Sequence, residues 1–326
     1  MEILPKYTLT QEMVSLISRI EAKKAILENA NISSQIISRF QRQSLLKSSL
    51  YSAKIEGNPL KEKDLENLSK FDKNLRERLE IENIISALKF LKRQKDKTID
   101  KNFIPGLHEI VMKNISIDAG RLRVDPNAIF NQAGFSVYIP PLPSQVSGLL
   151  EELVAYVNNS TNENILIKAA LAHMVFEKIH PFLDGNGRVG RLLYQSILIK
   201  NNYHFNWLLS VEEEINDKKE EYYAYLDKND ATSFIEFSLE VLLANVEKIS
   251  ALLNEEKEDD KELFLLPRRK EILDLIRDHK FMSLDVLRRR FSKVSPRMIR
   301  YDLKKLEEEG FIIKIGSTRG AVYKVK

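Results

Sequence analysis

The sequence predicts a mainly α protein, in which a large helical body carrying one β-hairpin precedes a small basic module. Three observations predict it. Apolar residues recur at spacings of three and four over Leu79–Leu91, Val146–Val157, Ile165–Ile179 and Val189–Ile199, the period of helices with a buried face. Only 11 glycines and 10 prolines interrupt 326 residues, and they gather around Gly57-Asn58-Pro59, Ile139–Pro143 and Gly185–Gly190. Charge is also unevenly divided. From Pro267 to Lys326, 17 Lys and Arg oppose 8 Asp and Glu, a balance of +9 that leaves −5 on the rest of a chain whose total is +4.

A chain of 326 residues exceeds one compact core, so several domains are expected. They are a helical region over 1–95, a core with its following helices over 96–253, a linker over 254–266 and the basic module over 267–326. Asn254–Glu262, a charge run without an apolar face, reads as a solvated helix end plus linker, and Pro267 opens a new pattern. The absence of cysteine excludes a disulfide framework, thiolate catalysis and a zinc–thiolate site. No apolar run approaches the roughly 18–20 residues of a membrane span. Met1–Leu9 lacks the basic-then-apolar order of a secretory signal. A cytoplasmic protein with no membrane partner is expected.

Within the body, Arg121–Val124 and Gly134–Ile139 flank a polar stretch with Asp125-Pro126-Asn127 and read as the hairpin. The helix Ile165–Ile179 must stop before Pro181, because the residue before proline is pushed out of helical geometry. Asp184-Gly185-Asn186-Gly187 then reads as a tight turn, with a second helix from about Arg188. The unpaired N–H groups and positive dipole end of that helix make an anion site. Arg188 and Arg191, three residues apart, lie on one face and can fork onto phosphate oxygens. Asp184 offers the single carboxylate that Mg²⁺ needs when phosphates and waters fill its other positions. His180 can take a proton near neutral pH, and Phe182 anchors the loop. His173 reads as a core histidine. His108, His204 and His279 form no metal pattern, Phe205 and Trp207 read as packing, and Lys92–Lys97 reads as solvated surface.

The run from His180 to Arg191 meets every specified position of His-x-Phe-x-(Asp/Glu)-Gly-Asn-Gly-Arg-x-x-Arg and so resembles the Fic family motif. The resemblance extends from about Ser52 to Val241 and takes in Gly120-Arg121-Leu122-Arg123, Val137–Pro141, Tyr222-Tyr223 and Phe234–Phe237. It implies a Fic-type helical core with a hairpin flap and transfer of AMP from ATP, with Mg²⁺, to a hydroxyl of a protein target or of the chain itself. By the same resemblance His180 is the general base, and Asp184 binds the metal. Gly185, Asn186 and Gly187 hold phosphates, and Arg188 and Arg191 hold their outer end. Tyr222 and Tyr223 stand on the adenine side. The edge formed by Phe135, Ser136, Val137 and Tyr138 docks the target as an added strand. The chain is shorter than the family after the tyrosines, so no contact from Asn229 is expected.

Upstream, Ser52-Ala53-Lys54-Ile55-Glu56-Gly57 matches the family's inhibitory pattern (Ser/Thr)-x-x-x-Glu-(Gly/Asn). Ser52 and Glu56 stack on one helix face, and Gly57 ends the helix. The resemblance implies that Glu56 pairs with Arg191 in the place of the γ-phosphate. An ordinary helix end is the alternative. In some relatives this glutamate also positions water to remove AMP, and the sequence does not separate the two roles.

In the basic module, Arg268–Arg277, Leu284–Phe291 and a helix opened by Ser295-Pro296 precede Phe311–Ile315, a turn, and Ala321–Val325. Three helices and a two-stranded wing resemble a winged helix-turn-helix. Arg297, Arg300, Lys304 and Arg319 are the candidate DNA contacts. Glu307-Glu308-Glu309 would repel phosphate, so a protein-interaction or dimerisation module, and with it a homodimer, is the alternative. Two rival functions follow: transfer of another phosphate-bearing group within the same fold, and a nucleotide-sensing DNA-binding transcriptional regulator.

Overall fold

The computed structural model describes residues 4–30, 32–65, 75–130, 136–159, 162–263, 265–316 and 321–326. The chain divides into two compact units, Met1–Ala251 and Leu252–Lys326. Among the described residues no helix is long and apolar enough to cross a membrane.

The first unit is almost wholly helical, as its three-and-four periodicity predicts. Its elements are α1 (Gln11–Glu28), α2 (Ser34–Ile55), α3 (Glu62–Leu65), α4 (Leu75–Arg93), α5 (Phe103–Val111), β1 (Ile129–Phe130), β2 (Ser136–Tyr138), α6 (Pro143–Asn158), α7 (Ile165–Ile179), α8 (Asn186–Lys200), α9 (Val211–Asp217), α10 (Lys219–Leu226) and α11 (Thr232–Leu263). Helices α7 and α8 are its axis. Every residue of α7 from Leu166 to Phe176 is buried, as is every residue of α8 from Arg188 to Ile199. A helix apolar all round belongs in a core, and α6 packs on α7 while α4 and α5 pack on α8. Helix α2 lies against α4 and α9 and reaches α8. Its last turns bury Leu50, Ala53 and Ile55, with Leu50 and Ala53 in a cluster with Leu60, Ile81 and Ile84. The end that carries Ser52 and Glu56 is therefore core, and its position is fixed by packing.

One expectation changes. Residues Arg121–Val124 form no strand. The hairpin pairs Ile129 with Tyr138 and Phe130 with Ser136, an irregular register. The cause is that Arg123 is bonded to the loop after α7 rather than to a neighbouring strand. Helix α11 continues to Leu263, so a helix end takes up most of the charged segment before Pro267.

The second unit contains α12 (Pro267–His279), β3 (Met282–Ser283), α13 (Leu284–Arg290), α14 (Pro296–Glu308), β4 (Ile312–Ile315) and β5 (Val322–Val325). Ser283 and Ser295 cap α13 and α14, accepting from Val286 N and Met298 N. The wing gains a third strand that the sequence did not announce, in the order β3-β5-β4, all antiparallel. Ile272, Leu273, Ile276, Leu287, Ile299, Leu303 and Leu306 form the core. Asp302 of α14 is 1% exposed and takes Arg268 Nε at 2.6 Å and Arg269 Nε at 3.2 Å, which ties α14 to the start of α12. Replacing Asp302 by alanine strands two guanidinium groups and is expected to cost this unit about 1–3 kcal/mol. Thermal unfolding followed by circular dichroism would register the loss as a lower midpoint.

Candidate functional site

The loop between α7 and α8 is built from backbone outward. Helix α7 ends at His180, which adopts a left-handed conformation (φ 49°, ψ 61°), an uncommon state for a residue with a Cβ. Asn186 closes the loop from the other side. Its Oδ1 accepts from Phe182 N at 3.0 Å, and its Nδ2 donates to Phe182 O at 2.8 Å. Asn186 is 2% exposed, so its side chain secures the turn, and only its backbone is left to meet a phosphate. Gly185 (φ 82°) caps α8, which begins at Asn186, two residues before the expected Arg188. The first amides of α8 thus sit at the loop, with no partner inside their own helix.

Two residues outside the motif hold this loop. Arg123 N donates to Pro181 O at 2.9 Å, its Nε to His180 O at 2.8 Å and its Nη2 to Pro141 O at 2.5 Å. His108 of α5 accepts from Gly120 N at Nδ1 (2.9 Å), so its proton sits on Nε2 and is donated to Asp184 O (3.0 Å). Its ring stacks on Phe182 with centroids 3.7 Å apart and planes 3° apart. Burial lowers the pKa of His108, chiefly through desolvation, which preserves the neutral tautomer that these two bonds require. Sequence reading set His108 aside as isolated. Only the packing of α5 on α8 brings it under the loop, and no spacing rule could have found it. His108→Phe keeps the stack and removes both bonds. It is expected to lower transfer about tenfold, the equivalent of one lost hydrogen bond holding the loop, with melting still cooperative. Single-turnover labelling alongside calorimetry would check it.

The charged side chains are already paired with one another. Arg188 Nη2 donates to Asp184 Oδ1 at 2.9 Å, and its Nη1 lies 3.7 Å from Glu80 Oε1. Asp184 Oδ2 has Arg76 Nη2 at 3.7 Å, and the side chain is 54% exposed. No cluster of three or more His, Cys, Asp or Glu side chains suited to a metal occurs among the described residues. Asp184 thus offers one exposed carboxylate beside the loop, and a metal held there would take most of its ligands from elsewhere.

Arg191 is 1% exposed and bound on all sides. Its Nε donates to Ser52 Oγ at 3.1 Å, its Nη2 to Ser52 O at 2.8 Å and its Nη1 to Glu56 Oε1 at 2.9 Å. Burial lowers the pKa of Arg191, and Glu56 with Tyr222, Tyr223 and Glu177 together more than reverse that. Glu56 owes its place to a helix stop. Gly57 (φ 98°) donates to Lys54 O and Asn58 N to Ala53 O, the paired bonds of a left-handed glycine cap. The carboxylate then rests on the start of α8, so closely that a Cβ on Gly187 would fall 2.4 Å from Glu56 Oε1.

Glu56, His180 and Arg191 share a cleft of about 1040 Å³, also lined by Tyr138, Glu177 and Asn229. Burial first, and then Arg123, lower the pKa of His180 against the opposing pull of the Glu177 backbone, Glu56 and Asp184, so the imidazole is neutral near pH 7. Glu177 is pushed up to about 8, first by burial and then by Glu56. Asn229, from which no contact was expected, borders the cleft. The two tyrosines divide. Tyr222 is 1% exposed, with its hydroxyl 2.8 Å from Nε2 of the buried His173, which makes it part of the wall. Tyr223 is 43% exposed and donates to Ile55 O at 3.4 Å. Of the expected flap, Phe135 lies outside the described residues, while Ser136, Val137 and Tyr138 form β2. Tyr138 OH donates to Lys178 O at 2.9 Å, anchoring the flap to α7. In the second unit Arg297, Arg300 and Lys304 are exposed on α14, and Arg319 lies outside the described residues.

Comparison with known proteins agrees with this geometry. Residues 98–198 match the Fic/DOC family and residues 268–320 a DeoR-like helix-turn-helix domain. A protein of Aquifex aeolicus named a probable protein adenylyltransferase is 36% identical over 107 residues, 33% of this chain and 32% of that protein. The protein adenylyltransferase Fic of Drosophila melanogaster is 28% identical over 194 residues, 56% of this chain and 38% of that protein. The chain thus spans about a third of the length of these relatives. A crystal structure of a Fic family protein from Desulfovibrio desulfuricans superposes over 99% of this chain and 98% of its own, with a TM-score of 0.68 at 24% identity. That likeness is one of fold. With the motif intact and the loop geometry assembled, residues 98–198 carry a Fic/DOC domain and residues 268–320 a DeoR-like helix-turn-helix domain.

Proposed function

We propose that the chain is a protein adenylyltransferase that moves AMP from ATP to a hydroxyl of a protein target, or of itself, and that Glu56 restrains it. One observation carries the reading. A neutral imidazole, a helix N-terminus and a buried arginine open onto one cleft, and a carboxylate of the same chain rests where an anion would bind. The volume of about 1040 Å³ is at the upper end of small-molecule sites and has room for a nucleotide.

The chemistry follows from the positions. His180 takes the proton of the incoming hydroxyl, whose oxygen attacks the α-phosphorus as the bond to the pyrophosphate oxygen breaks. The amides at the start of α8, with Arg188 and Arg191, carry the charge that moves onto the leaving pyrophosphate. Both arginines must first release their present carboxylates, Asp184 and Glu56. Asp184 is the residue that would hold Mg²⁺, and bound Mg²⁺ supplies charge neutralisation between phosphate oxygens. Relatives named protein adenylyltransferases support AMP as the group transferred. Incubation with ATP labelled at the α- or the γ-phosphate tests the reading. Label retained from the α position is expected; label retained only from the γ position would overturn it.

A second reading has its own observation. The DeoR-like domain exposes Arg297, Arg300 and Lys304 on α14, which favours DNA binding and a regulatory role. Binding of one duplex sequence that weakens steeply with salt, together with an undiminished biological effect in His180→Ala, would support this reading over the enzymatic one.

A further inference from the structure

A second cavity, of about 350 Å³, opens between α2, α4, the end of α8 and a short turn at Phe205–Trp207. Its walls are of two kinds. Leu45, Leu88, Ile199 and Leu209 form an aliphatic side, while Arg42, Lys89 and Lys92 form a cationic rim with no carboxylate in the lining. Trp207, the chain's single tryptophan, completes the wall, with the His204 ring stacked on it 4.9 Å away and Lys92 Nζ 5.0 Å from its centroid.

The turn that presents Trp207 is strained. Phe205, Asn206 and Trp207 hold φ angles of 43°, 57° and 63°, three consecutive left-handed residues, none of them glycine. L-residues visit that region singly and at a cost, and such strain gathers where a ligand or a switch is served. Gln41 of α2 fastens the turn by donating from Nε2 to Asn206 O at 2.8 Å. The groove combines a flat aromatic face, aliphatic walls and one sign of charge.

We propose that this cavity binds a small flat anion, an aromatic body with one acidic group, seated beside Trp207 with its charge toward Arg42, Lys89 and Lys92, and that the occupant braces α2. At about 350 Å³ the cavity lies near the lower end of ligand sites, which suits a ligand smaller than a nucleotide. The bracing follows from the stripe that α2 presents. Ser38, Arg42, Leu45 and Ser48 line the cavity, and the same stripe continues at three- and four-residue spacing to Ser52 and Glu56. Across the seam Gln195, one turn after Arg191, donates to Ser48 Oγ at 3.3 Å and to the buried Glu212 at 2.5 Å. An occupant that needs α2 as a wall binds only while α2 is docked, and so favours that state. Neither the binding nor the bracing depends on the proposed role of Glu56.

The test uses the full chain with saturating α,β-methylene-ATP and Mg²⁺, so that the larger cleft is filled. The probe is 8-anilinonaphthalene-1-sulfonate, a flat aromatic with one anionic group. Saturable quenching of Trp207 emission is expected. Lys89→Glu/Lys92→Glu is expected to weaken binding about tenfold or more, the effect of losing one charge-assisted contact. The neutral N-phenyl-1-naphthylamine should bind weaker by a similar factor. Amide hydrogen exchange over residues 34–48 should slow when the probe is bound. Quenching that never saturates, or equal affinity in the charge-reversed protein, or for the neutral analogue, would overturn the site. Unchanged exchange in α2 would overturn the bracing. Should the double reversal unfold by circular dichroism, Lys89→Gln/Lys92→Gln carries the same comparison.

Discussion

Replacing His180 by alanine is expected to cut AMP transfer by about 10²–10⁴-fold, the usual contribution of a positioned general base. The imidazole lines a cleft whose other ionisable walls are carboxylates, lysines, tyrosines and a paired arginine. Its backbone carbonyl is held by Arg123, so the substitution removes the ring without freeing the loop. The loop's hold on the triphosphate should survive, and ATP binding should change little while the rate collapses. Dependence on pH gives a second reading. Desolvation lowers the pKa of His180 below its ordinary value, so the neutral base persists to lower pH than a solvent-exposed histidine would allow. The rate in the parent protein should hold steady as pH falls through about 6.5 and drop only below it. Single-turnover labelling from α-labelled ATP across pH 5–8 measures both. A variant that transfers AMP at the parent rate would remove His180 from the chemistry.

Glu56→Gly is expected to raise self-labelling about 10- to 100-fold, the equivalent of the 1.5–3 kcal/mol typical of a hydrogen bond to a charged group. The carboxylate competes with a phosphate for Arg191 and for the start of α8, since it sits over Gly187 and 2.9 Å from Arg191 Nη1. Release needs no movement of α2. Leu50, Ala53 and Ile55 keep the helix packed, and Arg191 retains both of its bonds to Ser52. The variant should therefore melt close to the parent. Glu56→Gln separates charge from shape: an amide fills the same space without a full countercharge and should release the activity only in part. Intact-mass spectrometry after incubation with ATP and Mg²⁺ reads the added AMP in all three proteins. Equal labelling of parent and Glu56→Gly would leave the carboxylate as an ordinary helix end.

The parts of this protein legible in its sequence are those set by local chemistry. Proline after His180 stops α7, glycines open the turn, and the four-residue interval from Ser52 to Glu56 stacks both on one face of α2. Caps at Ser283 and Ser295 fix helix starts by the same local logic. One expectation failed for a tertiary reason. Arg121–Val124 looks like a strand because it alternates, yet Arg123 is drawn to carbonyls at His180 and Pro141, far along the chain. Tyr222 lines the cleft and also bonds the buried His173, a contact that the motif does not announce.

By itself the sequence determined the helical class, the turn that makes an anion site, and the pairing of a glutamate with a glycine stop, because each depends on residues within a few positions. Only the tertiary structure decided that His108 lies beneath Phe182, that Asn186 is spent on the loop itself, and that Ser52 binds Arg191 beside Glu56. Those contacts join residues from different helices, and their partners are chosen by how α2, α5, α7 and α8 pack, which no local spacing encodes.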